Sequence, residues 1–170
     1  MDFLNLSRDR YSVRKLSDKP VEPEKIEAIL QAGLAAPTAC NNQPFKIWVL
    51  RSPEVIEKMA EMTPFTFGAK VILAVGSKAE EGWVRKYDQK NFADVDAAIV
   101  ATHLMLAIHE LGLGTTWVGS FDEGKLKAAF PEMEGYSLIA MFPTGYPAED
   151  AEPSRLHLVS KEKAELVAEL

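Results

Sequence analysis

The stretch from Ala93 to Leu111 constrains the fold more than any other part of this chain. Its residues Ala97, Ala98, Ile99, Val100, Ala101, Leu104, Met105, Leu106, Ala107 and Ile108 are apolar and point nearly all round a helix of 3.6-residue period. A helix without a polar face has to be covered on most sides, inside a large core or against a second subunit. The run is interrupted by Thr102 and His103 and is far shorter than the ~20 apolar residues a membrane span needs. Gly112 and Gly114 follow as flexible C-terminal caps. The pattern therefore predicts a buried central helix, and a homodimer that hides it.

Around this helix the chain alternates helical and extended patterns. Asp2–Asp9 reads as a short helix. Pro23 suits a first helical position, and Ile26, Ile29, Leu30 and Leu34 share one face before Pro37 ends the run. Phe45–Leu50, Val71–Val75 (ending at Gly76), Thr115–Val118 and Ser137–Phe142 read as strands. The unbroken apolar run of the second predicts a strand covered on both faces. Glu54–Met62 is amphipathic, Asp122 is placed to cap a helix carrying Leu126, Ala129 and Phe130, and Lys161–Leu170 closes the chain with a helical pattern. No repeat and no long linker divides the sequence, so residues 1–170 are expected to form a single layered α+β domain in which helix outweighs sheet.

Composition then narrows the function classes. A chain of 170 residues with 47% hydrophobic and 26% charged residues can bury a core without disulfides or metals. The net charge of −6 argues against a protein that works by neutralising a nucleic-acid backbone. A single cysteine permits no internal disulfide and fits a reducing compartment. The start, Met1-Asp2-Phe3-Leu4-Asn5-Leu6, has an acid where a signal peptide needs a basic region, so a cytoplasmic location with no membrane partner is expected.

Four polar segments could carry chemistry. Arg8-Asp9-Arg10-Tyr11-Ser12-Val13-Arg14-Lys15 concentrates basic residues in an acidic chain. If extended, it projects Arg10, Ser12 and Arg14 from one side, which suits bidentate binding of a phosphate. The alternative is a solvated segment pairing with Asp9, Asp18 or Glu22. Ala36-Pro37-Thr38-Ala39-Cys40-Asn41-Asn42-Gln43-Pro44 sets carboxamides between prolines. Those groups both donate and accept, so they could read the edge of a heterocycle, or the segment is a rigid turn with no ligand. Cys40 has no nearby histidine and reads as a passive small residue. Gly112-Leu113-Gly114-Thr115-Thr116-Trp117-Val118-Gly119-Ser120 follows a helix and lacks a third glycine, so it is not a dinucleotide fingerprint. Trp117 and Gly119 there offer either an aromatic wall with an exposed amide or a core tryptophan beside a turn. Arg155, after Pro153, matters only if the fold brings it beside Arg10.

Other chemistries are missing from the sequence. It contains no phosphate-binding Gly-x-x-x-x-Gly-Lys-Ser/Thr loop and no Gly-x-Ser-x-Gly elbow. His103 and His109 are six residues apart, on different helix faces, without the i, i+4 spacing of a helical metal site.

In this order and at these distances, the segments resemble the nitroreductase family of flavin enzymes. The matching residues are Arg10-Tyr11-Ser12-Val13-Arg14, Ala36-Pro37-Thr38-Ala39-Cys40-Asn41-Asn42-Gln43-Pro44, Gly112-Leu113-Gly114 with Trp117-Val118-Gly119, and Gly145-Tyr146-Pro147 with Arg155. The resemblance implies an α+β homodimer packed through its central helices, with FMN at the subunit interface and NADH or NADPH as hydride donor. Arg10 and Ser12, helped by Arg155, would hold the FMN phosphate, with Tyr11 in the same stretch. Arg14 would lie near the pyrimidine edge, where a cation favours the reduced cofactor. Pro37, Thr38, Ala39, Asn41 and Gln43 would contact FMN, some from the partner chain, and Trp117, Val118 and Gly119 would run along the ring. No side chain is assigned a catalytic role, because the flavin carries the chemistry. The acceptor would be a small electrophile such as a nitroaromatic or a quinone. Alternatives are another acceptor (an enone, a pterin or a halogenated aromatic) or a flavin carrier or sensor without efficient turnover. Tyr11 and Pro153 replace basic residues usual in the family, and the chain is short for it. Trp83, Tyr87 and Phe92, clustered in a polar stretch, are the expected lid.

Overall fold

The computed structural model describes residues 2–170. Its elements run α1 (Phe3–Asp9), α2 (Pro23–Leu34), β1 (Phe45–Leu50), α3 (Pro53–Met62), β2 (Val71–Ser77), α4 (Ala93–Glu110), α5 (Glu123–Ala129), β3 (Ser137–Thr144) and α6 (Lys163–Leu166). Helix starts are marked by local chemistry. The Asp2, Ser52 and Asp122 side chains accept from the backbone N–H of Asn5, Val55 and Lys125, and Pro23 and Pro53 open α2 and α3.

The three strands form an antiparallel sheet in the order β1-β2-β3. β2 is central and every one of its residues is buried, as its unbroken apolar run predicts. Because strand side chains alternate, β2 feeds two cores at once. Val71, Leu73 and Val75 join Ile26 and Ile29 of α2, and Ala97, Ala101, Leu104 and Ile108 of α4. On the other face Ile72 and Ala74 join Met59 of α3, Leu126 of α5 and Met141 of β3. The result is a three-layer α+β arrangement, helices on both faces of a small sheet.

Two positions show how closely the first layer packs. A Cβ on Gly33 would lie 2.6 Å from Leu104 Cδ2, so the absence of a side chain lets α2 approach α4. Lys25 caps the end of α4 by donating from Nζ to the Leu111 carbonyl at 2.8 Å and to the Tyr146 hydroxyl at 2.9 Å. Tyr146 in turn donates to the Glu22 carboxylate, which ties α2, α4 and the Gly145-Tyr146-Pro147 turn together.

Three sequence expectations can be set against the structure. First, α4 is covered on only part of its circumference within one chain, which leaves the expected second subunit a face to cover. Ala93, Ala97, Val100, Ala101, Leu104 and Ile108 are buried, whereas Ala98, Ile99, Met105 and Leu106 are half-buried and Val95 is exposed. Second, Thr115–Val118 is not a strand. It touches the sheet at two points, where Gly114 exchanges backbone bonds with Gly145 and Val118 with Met141. Pro143 stands midway between Met141 and Gly145 and has no N–H to give, so a continuous ladder is interrupted there. Third, the C-terminal helix shrinks to the single turn Lys163–Leu166, because its apolar residues Leu166, Val167 and Leu170 have nothing to pack against.

Gly114 also sets the path of the Arg10–Arg14 stretch. An added Cβ would sit 2.7–2.8 Å from three atoms of Val13, a residue only 2% exposed. Gly114→Ala is expected to cost about 1–3 kcal/mol as an overpacking substitution, measured by urea unfolding. An unchanged midpoint would show that Val13 yields freely.

Candidate functional site

The site begins where the chain leaves α1. Arg10 turns into an extended conformation (φ −62°, ψ 123°), and the next residues run beside the Gly114–Val118 stretch, with Val13 N–H donating to the Thr115 carbonyl at 2.9 Å. Val13 is the buried peg and Arg14 is exposed. Arg14, Phe65, Phe67 and residues 116–120 line a cleft of about 190 Å³. Trp117, 37% exposed, forms part of its wall and is braced edge-on by buried Phe142, with ring centroids 5.3 Å apart at 84°. Gly119 faces open space, since a Cβ there would meet no atom within 4 Å. The floor is held by Thr63, whose hydroxyl donates to the Ser120 carbonyl at 2.8 Å.

A second wall of polar groups forms elsewhere. The Thr38–Gln43 turn does not line that cleft; it is fastened to the N-terminal half of α4, where Ala39 N–H donates to buried Asp96 at 2.9 Å. Cys40, Asn41 and Gln43 all have left-handed φ values, of 51°, 57° and 52°. Each such non-glycine residue costs of order 1–3 kcal/mol and persists only where surroundings over-determine it. Here Thr38 Oγ1 accepts the Gln43 N–H at 3.0 Å, and the Gln43 side chain donates to Asn41 Oδ1 at 3.0 Å. Pro37 is exposed at the entry to the turn.

The C-terminal segment bearing Arg155 is brought against the Arg10–Lys15 stretch. Tyr11 and His157 meet edge to face at 6.1 Å, the Ala148 N–H donates to the Lys15 carbonyl, and Lys15 pairs with Asp150. The side chain of Tyr11 thus does structural work here. Among the described residues Arg10, Arg14 and Arg155 form no ion pair with a carboxylate. Arg14 donates only to the Ser12 carbonyl, at 3.4 Å, so three guanidinium groups with no carboxylate partner among the described residues keep bidentate capacity for a ligand.

Comparison with known proteins gives the family of the chain. A model of the nitroreductase family matches residues 7–64 and 62–146. The chain belongs to the nitroreductase family. A Methanothermobacter thermautotrophicus protein bearing the name NADH dehydrogenase/NAD(P)H nitroreductase is 31% identical, over 93% of this nitroreductase chain and 87% of its own length. A nitroreductase family protein of Clostridium difficile 630 superposes with a TM-score of 0.91 at 31% identity, covering 99% of this chain and 98% of that one. A Desulfovibrio desulfuricans nitroreductase crystallised with FMN superposes at 0.77 with 30% identity, covering 98% and 95%. The three-layer α+β architecture is that of the family.

Sequence reasoning missed Phe65 and Phe67. They sit in the aperiodic stretch Thr63-Pro64-Phe65-Thr66-Phe67-Gly68, and the one available signal was a pair of aromatics, one 38% exposed, in a loop with no helical or strand pattern. His109 is not among the residues that line the cleft. That residue is half-buried near the end of α4, and its Nε2 is enclosed without a hydrogen-bond partner. Burial first, and then the Arg10 guanidinium, hold its imidazole below the ordinary histidine range, against the opposing pull of Asp9 and Glu110. A lowered folded-state pKa means that the unfolded chain takes up the proton more readily. Stability is therefore full above about pH 6.5 and is lost as the pH falls through that value towards the lower folded-state pKa. His109→Gln is expected to flatten this part of the pH dependence. Urea midpoints of both proteins at pH 7.5 and 5.5 check it, and equal slopes would count against it.

Proposed function

We propose that this nitroreductase family member is an FMN-dependent oxidoreductase that takes hydride from NADH or NADPH and passes it to a small electrophile, such as a nitroaromatic or quinone. The single observation carrying this reading is the cleft in which Arg14 meets the Trp117-Val118-Gly119 wall, with two further unpaired arginines on adjoining segments. The residues present fit FMN: free guanidinium groups for the phosphate, an open glycine backbone, and an aromatic wall of limited exposure. Arg10, Ser12 and Arg155 would hold the phosphate, with Tyr11 fixing the two segments against each other. Arg14 would supply positive charge at the polar edge of the ring. Trp117, Val118 and Gly119 would lie along the ring and keep water from one face.

The chemistry FMN supplies when bound is two-electron hydride acceptance and donation. The chain's own contribution is to bind, orient and bias charge, and no side chain acts as acid or base. Pro37, Thr38, Ala39, Asn41 and Gln43 would contribute from the other subunit of a homodimer, since within one chain they lie outside the cleft. The half-buried Ile99 and Leu106 and exposed Val95 along the outer face of α4 support that assembly. One domain spanning residues 1–170, working in the cytoplasm, completes the reading; among the described residues no helix is long and apolar enough to cross a membrane.

The test is an absorbance spectrum of freshly purified protein, followed by anaerobic titration with each pyridine nucleotide. Yellow protein that bleaches rapidly and recovers with an acceptor supports the enzyme. Yellow protein that does not bleach identifies a carrier, and a preparation that stays colourless with added FMN overturns the reading.

The aromatic cluster between β2 and α4 divides into two parts. Trp83 and Phe92 pair at 5.2 Å across the base of a small hairpin closed by backbone bonds of Phe92 to Trp83 and Arg85 to Lys90. Tyr87, 84% exposed near its tip, stands outside that pair, with the Lys86 ammonium over its ring at 5.0 Å. The hairpin base is tied to the polar turn through the Asn42 amide and the Glu81 carbonyl at 3.2 Å. A lid role therefore falls to Tyr87. Tyr87→Ala is expected to change the ratio of kcat/KM between a nitroaromatic and a quinone by about 5-fold or more, on the scale of one lost aromatic contact of roughly 1 kcal/mol. An unchanged ratio would remove the lid.

A further inference from the structure

We infer that Asp96 is a positioning residue: its carboxylate holds the Thr38–Gln43 turn in the conformation that meets FMN. This deepens the reading above and rests on it. Asp96 is 2% exposed on α4, on the buried helix face that also carries Ala93, Ala97 and Val100. A carboxylate among such residues is costly unless its hydrogen bonds compensate. Oδ1 accepts the Ala39 N–H at 2.9 Å, while Oδ2 is enclosed with no partner. A group kept in an apolar helix face with half its acceptor capacity unused is there for the bond it does make.

That bond falls where the chain needs it. It enters at the first residue of the Ala39–Asn41 helical turn, directly before the left-handed Cys40 and Asn41. Of the other ties, Thr38 to Gln43 and Gln43 to Asn41 are internal to the turn, and Asn42 reaches the Glu81 carbonyl at the hairpin base and not α4. Asp96 is thus the tie that fixes the turn to α4, and the seating of Thr38, Ala39, Asn41 and Gln43 against a ligand depends on it. The position of Asp96 in the first turns of α4 also suits a negative group, because the positive end of the helix dipole lies there.

The turn carries its own reporter. Cys40 is the sole cysteine and is exposed, so its rate of modification by a thiol reagent reads the conformation of the turn without any cofactor. Asp96→Ala is expected to change that rate at least 5-fold in the apo protein and to raise the FMN Kd at least 10-fold. Asp96→Asn keeps an oxygen acceptor for Ala39 and should restore both to within about 3-fold of the native values. Ala39→Pro removes the donated N–H from the other side, and the extended Thr38 before it (φ −131°, ψ 157°) accepts a following proline. It should reproduce the Asp96→Ala labelling change and add little when the two are combined, and it stands in for Asp96→Ala should that variant fail to fold. The apo thermal midpoint separates a positioning role from general damage. Losses of FMN affinity that track that midpoint, native behaviour in both bond-breaking variants, or an Asp96→Asn as impaired as Asp96→Ala would each overturn the proposal. If the native protein binds no FMN, the functional reading fails, while the labelling ratios still decide whether Asp96 holds the turn.

Discussion

Phe142→Ala is expected to destabilise the protein by about 3–5 kcal/mol, the range for truncating a fully buried aromatic. Phe142 is enclosed entirely, belongs to the core shared by α2, α4 and the sheet, and sits on β3 opposite Leu73 of β2. Few atoms around it can collapse into the space left, because the strand backbones on either side are fixed by the ladder. At roughly 2–4 °C per kcal/mol for a chain of this size, the thermal midpoint should fall by about 6–20 °C. The same ring braces Trp117 edge-on, so the surviving folded protein should also hold FMN less tightly. A calorimetric scan together with a cofactor titration checks both parts. A midpoint within 2 °C of native would mean that neighbouring side chains refill the cavity.

Arg10→Ala is expected to weaken FMN binding by about 1.5–3 kcal/mol, the scale of hydrogen bonds to charged groups, which is roughly a 10- to 150-fold rise in Kd. Arg10 has no carboxylate to release among the described residues, so its removal strands no partner and should barely alter folding. Its contribution should appear in the cofactor and not in the melting curve of the apo protein. One coupling is expected: without the Arg10 charge, the His109 imidazole loses one of the forces that lower its pKa. Equal FMN affinity in native and variant protein, measured by fluorescence at low cofactor concentration, would contradict the phosphate-binding role.

Most of the architecture was legible because the patterns that betray it are local. The apolar run at Val71–Val75, the cap at Asp122 and the proline at 23 each act within a few residues. What escaped depended on distant partners. Thr115–Val118 has strand composition, but its ladder is broken by Pro143 on another element. The tail from Lys161 has helical periodicity, yet a helix of that length needs a face to bury and finds none in one chain. In the candidate site, residue chemistry singled out the basic stretch and Trp117 but left each open between a ligand contact and a structural role, and the resemblance alone assigned them to FMN. Neither singled out Asp96: its spacing belongs to the apolar helix, and only the fold reveals the amide it holds. Phe65 and Phe67 escaped for a related reason, since a loop has no period by which to recognise an inward-facing side.

The gap at Pro143 has a further meaning for how such a chain can diversify. The stretch from Gly114 to Val118 is pinned to the sheet at its two ends and to Val13 through the Thr115 carbonyl, and Thr116 and Trp117 bear no sheet register to preserve. On the proposed reading, exchanges at the exposed Trp117 would reshape the cleft wall without unzipping any strand, so other acceptors would be reachable by small edits to this span.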